Sequence, residues 1–420
     1  MLRIVKYQYL PIAFIVLIFA IFIGDVGDTY SFYKNKLLLY TTGVQQHNSR
    51  FSAVDLNDYI KIKKYISKLT MPGTNSVEKK SAIINNMKIG DALGFLTENV
   101  ESSNDLMKTF PNGVINTRYI IDQLKSHKTI APYGKYNNNY LSQDSKLIYS
   151  DEIELSYVIS TALTSIPLDK LENGDVFTNK LIANFKNHWL EMKASGNYGV
   201  DGLYHGKRGY NKNTLLIFSD LASPAFSNIN ETNKKWPNRI SNNSICRSFI
   251  IGLDKRLTEE QVYNLAYSQS LITHSNKDIA VVAGTFAALF NKLLVTNNLS
   301  KMEIVNFLYN KIIANEDINT ESISSIKLGI EMFNKKIDPI LVYSNIPGFS
   351  YNEFLSLLIY SFLYFDNVNH AIINIIHTTG DNDCLAMAVS ALFAAYNSES
   401  LHTGYLNYIE AGPIEFFPIK

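Results

Sequence analysis

Three short runs place carboxylates where apolar, helix-like segments begin. They are Gly90-Asp91-Ala92-Leu93-Gly94 with Glu98 behind it, Ser150-Asp151-Glu152, and Gly380-Asp381-Asn382-Asp383. One Asp or Ser at such a place reads as a cap, because its oxygen accepts from free N–H groups and its charge meets the positive end of the helix dipole. Paired acids at two separate helix starts are a different signal. Asp151 with Glu152, and Asp381 with Asp383, crowd like charges that want a cation. Oxygen donors with little Cys or His favour a hard ion, Mg²⁺ or Mn²⁺. Asp381-Asn382-Asp383 also looks like the opening of a calcium loop, but the Gly and Glu that should follow are absent. The chain has no G-x-S-x-G, H-E-x-x-H or P-loop pattern.

The elements that must hold these acids are helical. Leu155, Val158, Ile159, Ala162, Leu163 and Ile166 fall on one face of a helix expected over 154–166. Segments 279–290 and 384–396 are apolar nearly all round, as buried helices are, and 351–365 is another long apolar run. Strict alternation is scarce, no repeat is visible, and polar stretches such as 133–146 separate the helices. These patterns predict an all-α domain over 81–420. Before it, 56–69 is helical in pattern, 71–76 is a Pro-Gly break, and 25–80 reads as an extension or linker.

Composition narrows the classes. Hydrophobic residues make up 46%, enough for a real core, so wholesale disorder is excluded. The 39 Lys and Arg against 38 Asp and Glu leave a net charge of +1, which gives no broad footprint for nucleic acid. Cys246 and Cys384 are too few for a disulfide framework or zinc ribbon, and Cys246 reads as a small core residue. Trp189 and Trp236 read as packing residues, and His205 and Arg208 as surface-loop residues. The mean hydropathy of -0.04 excludes a polytopic membrane protein. It conceals one apolar stretch, residues 7–24, between Lys6 and Asp25. With basic residues before it and no small-residue cleavage site, it reads as an uncleaved single-pass anchor in a bacterial inner membrane. The flanking charges put the N-terminus in the cytoplasm and the remainder outside, with a soluble cytoplasmic protein as the alternative.

Read in order, the motifs resemble the ADP-ribosylglycohydrolase family, the ADP-ribosyl-acceptor hydrolases that include the activating glycohydrolase of dinitrogenase reductase. The resemblance runs from about 83 to 397. It rests on GDALGFLTE (90–98), Ser150-Asp151-Glu152-Ile153, Arg208-Gly209-Tyr210-Asn211-Lys212-Asn213-Thr214, Ser241-Asn242-Asn243-Ser244-Ile245-Cys246-Arg247, Thr273-His274, and Gly380-Asp381-Asn382-Asp383-Cys384-Leu385-Ala386. It implies a binuclear Mg²⁺ or Mn²⁺ site on Ser150, Asp151, Glu152, Asp381 and Asp383, with Cys384 in the sixth place and Glu98 nearby. It implies that Gly209, Tyr210 and Asn211, with Ser241, Asn242, Asn243 and Ser244, hold the diphosphate and ribose of ADP-ribose, and that His274 flanks the cleft. In such a site, metal-activated water attacks the ribose anomeric carbon, and Asp151 or Glu152 moves protons. Loop N–H groups suffice for a pyrophosphate, which agrees with the neutral net charge.

Some positions depart from the family pattern. Glu152 stands for Asp, Ile153 for Thr, and Cys384 for Thr, where a thiol is a poor ligand for a hard ion. Asn211 and Asn243 stand for Gly, which reads as a mild exchange because Asn is the best non-Gly residue for positive φ. The resemblance therefore implies a monomeric hydrolase that releases ADP-ribose from a protein side chain, arginine first. The departures keep a second reading alongside it: an immunity or binding protein that holds ADP-ribose, or blocks a cognate ADP-ribosyltransferase toxin, with 25–80 as a plug. A structural, ligand-free membrane domain leaves the paired acids unexplained.

Overall fold

The computed structural model describes residues 56–73, 75–76, 78–98, 103–126, 141–142, 144–172, 174–194, 208–236, 241–315, 320–378 and 380–410. The proposed anchor at 7–24, the start of the extension and His205 lie outside the described residues. The fold is all-α, as its sequence pattern predicts. Its only strand pairing among the described residues is two residues long, Asn75–Ser76 against Glu399–Ser400, antiparallel.

At the centre, Lys79–Phe95 lies against Asn382–Asn397. Two glycines set their separation. A Cβ on Gly90 would sit 2.5 Å from the Ala386 carbonyl oxygen, and one on Gly94 would sit 2.2 Å from that of Asn382. Four residues apart, the two glycines share a helix face, and their bare backbone lets the helices meet at main-chain contact. Asn86 adds polar staples, donating to Ser390 O (2.8 Å) and Glu399 O (3.0 Å).

Other helices enclose this pair. Lys277–Val295 is long and apolar enough to cross a membrane, but 78% of its apolar window is buried inside the protein, so it is a core helix. Asp278 in its first turn accepts from Ser322 Oγ (3.1 Å) and Tyr351 Oη, which ties three helices together. Capping boxes start Glu259–Thr273, Lys301–Ile313 and Tyr351–Tyr364. Leu56–Ile66 packs on this body through buried Ile62 and Ile66, and Tyr65 Oη donates to Phe110 O (2.6 Å). The described end of the extension thus shares the core.

The acid-bearing helices begin where the acids are. Asp151–Thr164 opens on Asp151 with Ser150 as its cap, and Asn382–Asn397 opens behind Asp381. The first run is a correction. Asp91 does not open a helix; it lies near the C-terminal end of Lys79–Phe95. Its carboxylate therefore caps no N–H group of its own helix.

A buried carboxylate centre

Three elements bring five carboxyl groups together. Ser150, fully buried, is the joint between two of them. Its N–H donates to Asp91 Oδ2 (2.6 Å), and its hydroxyl lies against Asp91 Oδ1 (2.5 Å) and Glu152 Oε2. One hydroxyl has one proton, so the second of these contacts needs a proton from a carboxyl. Asp91 fits that need: burial, then the charge of Glu152, push it up to about 8. Carboxyl oxygens of Asp91, Glu152 and Asp383 lie within 4.8 Å of one another, as do the ligand atoms of Asp381, Asp383 and Cys384. Asp383 belongs to both groups and joins them.

Burial, then Glu152, hold Asp151 well above the usual carboxyl range. Burial, then Glu98 and Glu152, do the same for Asp383. Burial also pushes Asp381 up to about 6, against hydrogen bonds that favour its charge. Glu98 is therefore near enough to act on both Asp151 and Asp383. It also flanks the 208–211 turn, where Gly209 has φ 83 and a Cβ would meet Phe95 at 3.0 Å and Glu98 at 3.7 Å.

The 241–247 segment lies between the two acid runs. Asn242 Nδ2 donates to Asp381 Oδ2 (2.9 Å) and Gly348 O (3.2 Å). Asn243 Nδ2 donates to Asp151 Oδ2 (3.0 Å) and Glu152 Oε1 (2.8 Å), while its Oδ1 accepts from Arg247 (2.7 Å). Arg247 is fully buried and also donates to Gln269 Oε1 (2.9 Å) and Thr273 Oγ1. Burial lowers it to about 10 against the pull of Asp151 and Glu152, so it stays a cation near neutral pH. Thr273 meets His274 Nδ1 (2.9 Å), and His274 Nε2 meets Ser241 Oγ (2.6 Å). Ser244 is buried behind this layer and accepts from Ser270 Oγ (2.9 Å). The Cys384 thiol donates to Glu152 Oε1 (3.1 Å).

The expected site residues separate into two sets. Ser150, Asp151, Glu152, Asp381, Asp383, Cys384 and Glu98 converge, with Asn242, Asn243 and Gly209 against them. Tyr210, Asn211, Ser244 and His274 have protein partners that explain them. Tyr210 is buried, donates to Glu154 (2.5 Å) and meets His188 (2.7 Å). Asn211 caps Lys212–Leu221.

Two further readings are corrected. Neither Asn uses the positive φ that a Gly replacement suggests: Asn211 has φ -71, and Asn243 opens the short helix Asn243–Cys246. Each is held by what its side chain binds. Arg208 is no surface-loop residue. Its side chain is 20% exposed and binds Glu154 (3.1 Å) and Glu410 (2.5 Å), and its carbonyl accepts from Asp151 N–H (2.8 Å).

Sequence reasoning missed three contributors. Asp91 was visible only as one acid between two glycines. Arg247 could have been linked to Asn243 by their separation of one helical turn. The 347–348 turn, which accepts Asp381 N–H at Pro347 O (2.9 Å), gave no sequence signal beyond Pro-Gly.

The donor set suits a hard cation: oxygen-rich, buried, and holding carboxyls that in its absence must keep protons. Fold and carboxyl cluster together define an all-α protein with a buried acidic centre that could hold such an ion. The profile of the ADP-ribosylglycohydrolase family matches residues 88–411. The chain therefore belongs to the ADP-ribosylglycohydrolase family, a family of hydrolases. It is similar to a solved structure, an "ADP-ribosylglycohydrolase-related protein complex", at 12% sequence identity and a TM-score of 0.46, covering 81% of this chain and 94% of that one. Among curated proteins, none matches the chain.

Proposed function

We propose that the protein hydrolyses the N-glycosidic bond between ADP-ribose and a modified protein side chain, arginine first, with the help of Mg²⁺ or Mn²⁺. One observation carries this reading: acids from positions as distant as Asp91, Glu152 and Asp383 place carboxyl oxygens within 4.8 Å of one another. Asp91, Glu152, Asp381 and Asp383 would hold the cation. When bound, it supplies Lewis acidity that polarises ribose hydroxyls and lowers the pKa of water. The remaining work belongs to the chain. Cleavage builds positive charge on the anomeric carbon and ring oxygen, which the buried carboxylates offset. Asp151, held above the usual range and left out of the ligand set, carries a proton. Asp151 delivers one to the departing guanidino nitrogen, and Glu98 at the rim accepts one from the attacking water. Asn242 and Ser150 fix the carboxyls that must not swing.

The test uses the full chain on an ADP-ribosylarginine protein with Mg²⁺ or Mn²⁺, reading free ADP-ribose. Wild type is expected to turn over, and Asp381→Ala/Asp383→Ala to fall at least about 100-fold, the scale of lost metal support. Equal rates for the two would end the enzyme reading. One observation favours a second reading: Glu152 Oε1 already accepts from both Asn243 and Cys384. A chain so occupied would hold ADP-ribose, or a cognate ADP-ribosyltransferase toxin, without turnover. Calorimetric binding of ADP-ribose with no product release distinguishes the two.

A further inference from the structure

We propose that the Asn243 carboxamide takes the place of one cation, so that this chain binds a single divalent ion where its family resemblance implies two. The proposal rests on the divalent-cation reading above and narrows it.

The geometry is specific to the amide. A single nitrogen, Asn243 Nδ2, donates to Asp151 Oδ2 at 3.0 Å and Glu152 Oε1 at 2.8 Å. It therefore fills the gap between the two acids of the 150–152 run. An ion ligated by both oxygens at about 2.1 Å needs that same gap. The amide nitrogen has only protons to offer and cannot itself be a ligand. Turning the amide over would aim its oxygen at the ion, but it would also turn the NH₂ group onto Arg247, whose guanidinium now donates to Oδ1 at 2.7 Å.

Arg247 is pinned in turn. Gln269 Nε2 donates to Ser244 O (2.8 Å), which fixes Gln269 Oε1 toward the Arg247 Nε–H. Thr273 Oγ1 accepts from the other arm. The orientation of Asn243 is thus set by a fully buried cation two bonds of the network away from the acids. The charge of that cation reaches Asp151 and Glu152 through the amide dipole.

What remains is one cage. Among the described residues, Asp151 is in neither group of three close donors; those are Asp91, Glu152 and Asp383, and Asp381, Asp383 and Cys384. The two groups share Asp383, and the second depends on a thiol, a poor partner for a hard ion. A single ion on the Asp91–Glu152–Asp383 side uses the available oxygens. A glycine at 243, the residue of the family motif, would leave the gap open.

The test counts Mn²⁺ bound to the full chain at pH 7.5, by calorimetry and by metal analysis after gel filtration, with electron paramagnetic resonance on the same samples. Wild type is expected to bind one ion and show an uncoupled mononuclear signal. Asn243→Gly and Asn243→Ala are expected to bind two and show a spin-coupled pair. Two ions in wild type overturn the proposal and leave the cation-dependent hydrolase intact. No ion in wild type overturns both. One ion in wild type and in both variants removes Asn243 as the cause. The wild-type count decides between one and two even if a variant fails to fold.

Discussion

Arg208 shows how much of the site depends on residues outside the carboxyl cluster itself. Its guanidinium joins Glu154 to Glu410, stacks 4.1 Å from the Tyr149 ring, and its own carbonyl holds the Asp151 N–H. Glu154 answers to it: burial alone would raise this acid, but the hydrogen bond from His188 and the charge of Arg208 hold it down to about 2. Removing one member of such a buried pair strands the other. Arg208→Ala is therefore expected to cost about 3 kcal/mol in urea denaturation. Arg208→Lys should recover only part, because an ammonium cannot fork to two acids. A loss under about 0.5 kcal/mol for the alanine variant would show that Arg208 is not a strut. The paired acids at 151–152 and 381–383 were legible in the sequence because like charges side by side at a helix start need a reason. Asp91 was not, and Asn243 was legible only as part of a motif, not as the partner of Asp151 and Glu152. The partners that give them meaning lie 59 and 92 positions away, and no local pattern encodes that distance.

Among elements, the helices themselves were legible, since 3.6-residue periodicity is a local property, and their ends moved by only a few residues. Their approach was less so. Gly90 and Gly94 read as part of a helix start around an acid; in the fold they are the flat face, near the end of Lys79–Phe95, on which Asn382–Asn397 rests. The end of Val368–Ile376 makes a second junction through His377. Its Nδ1–H donates to Ile373 O (2.7 Å), its Nε2 accepts from Val114 N–H (3.0 Å), and its ring meets Tyr65 edge-on at 5.5 Å. One donor and one acceptor require the neutral ring, and burial lowers its pKa from 6.5 to about 4. The folded value lies below the unfolded one, so the ring's full contribution is present above pH 6.5. It is lost as pH falls from 6.5 through about 4. Between pH 7.5 and 4.5, wild type is expected to lose about 2 kcal/mol more stability than His377→Gln, which keeps both hydrogen-bonding roles without the titration. Equal losses in paired denaturation curves would clear His377 of this role.

For the whole molecule, the family match over 88–411 and the packing of Leu56–Ile66 leave residues 7–24 as a separate matter of location. Their apolar run between Lys6 and Asp25 leads us to expect the full chain in the membrane fraction. A chain lacking residues 1–24 should move to the supernatant. Fractionation that leaves the full chain soluble would dismiss the anchor. The helical body also has a consequence in time. The first helix of the central pair carries Asp91, the second carries Asp383, and the short pairing of 75–76 with 399–400 closes the other end of the pair. At roughly 5 to 20 residues per second, a ribosome needs about 15 to 60 s to pass from one acid to the other. Throughout that interval the early acids have no late partners. The centre cannot close until Asn382–Asn397 has been made, so a chain that stops short of that helix is a product with its early acids and without Asp381 and Asp383.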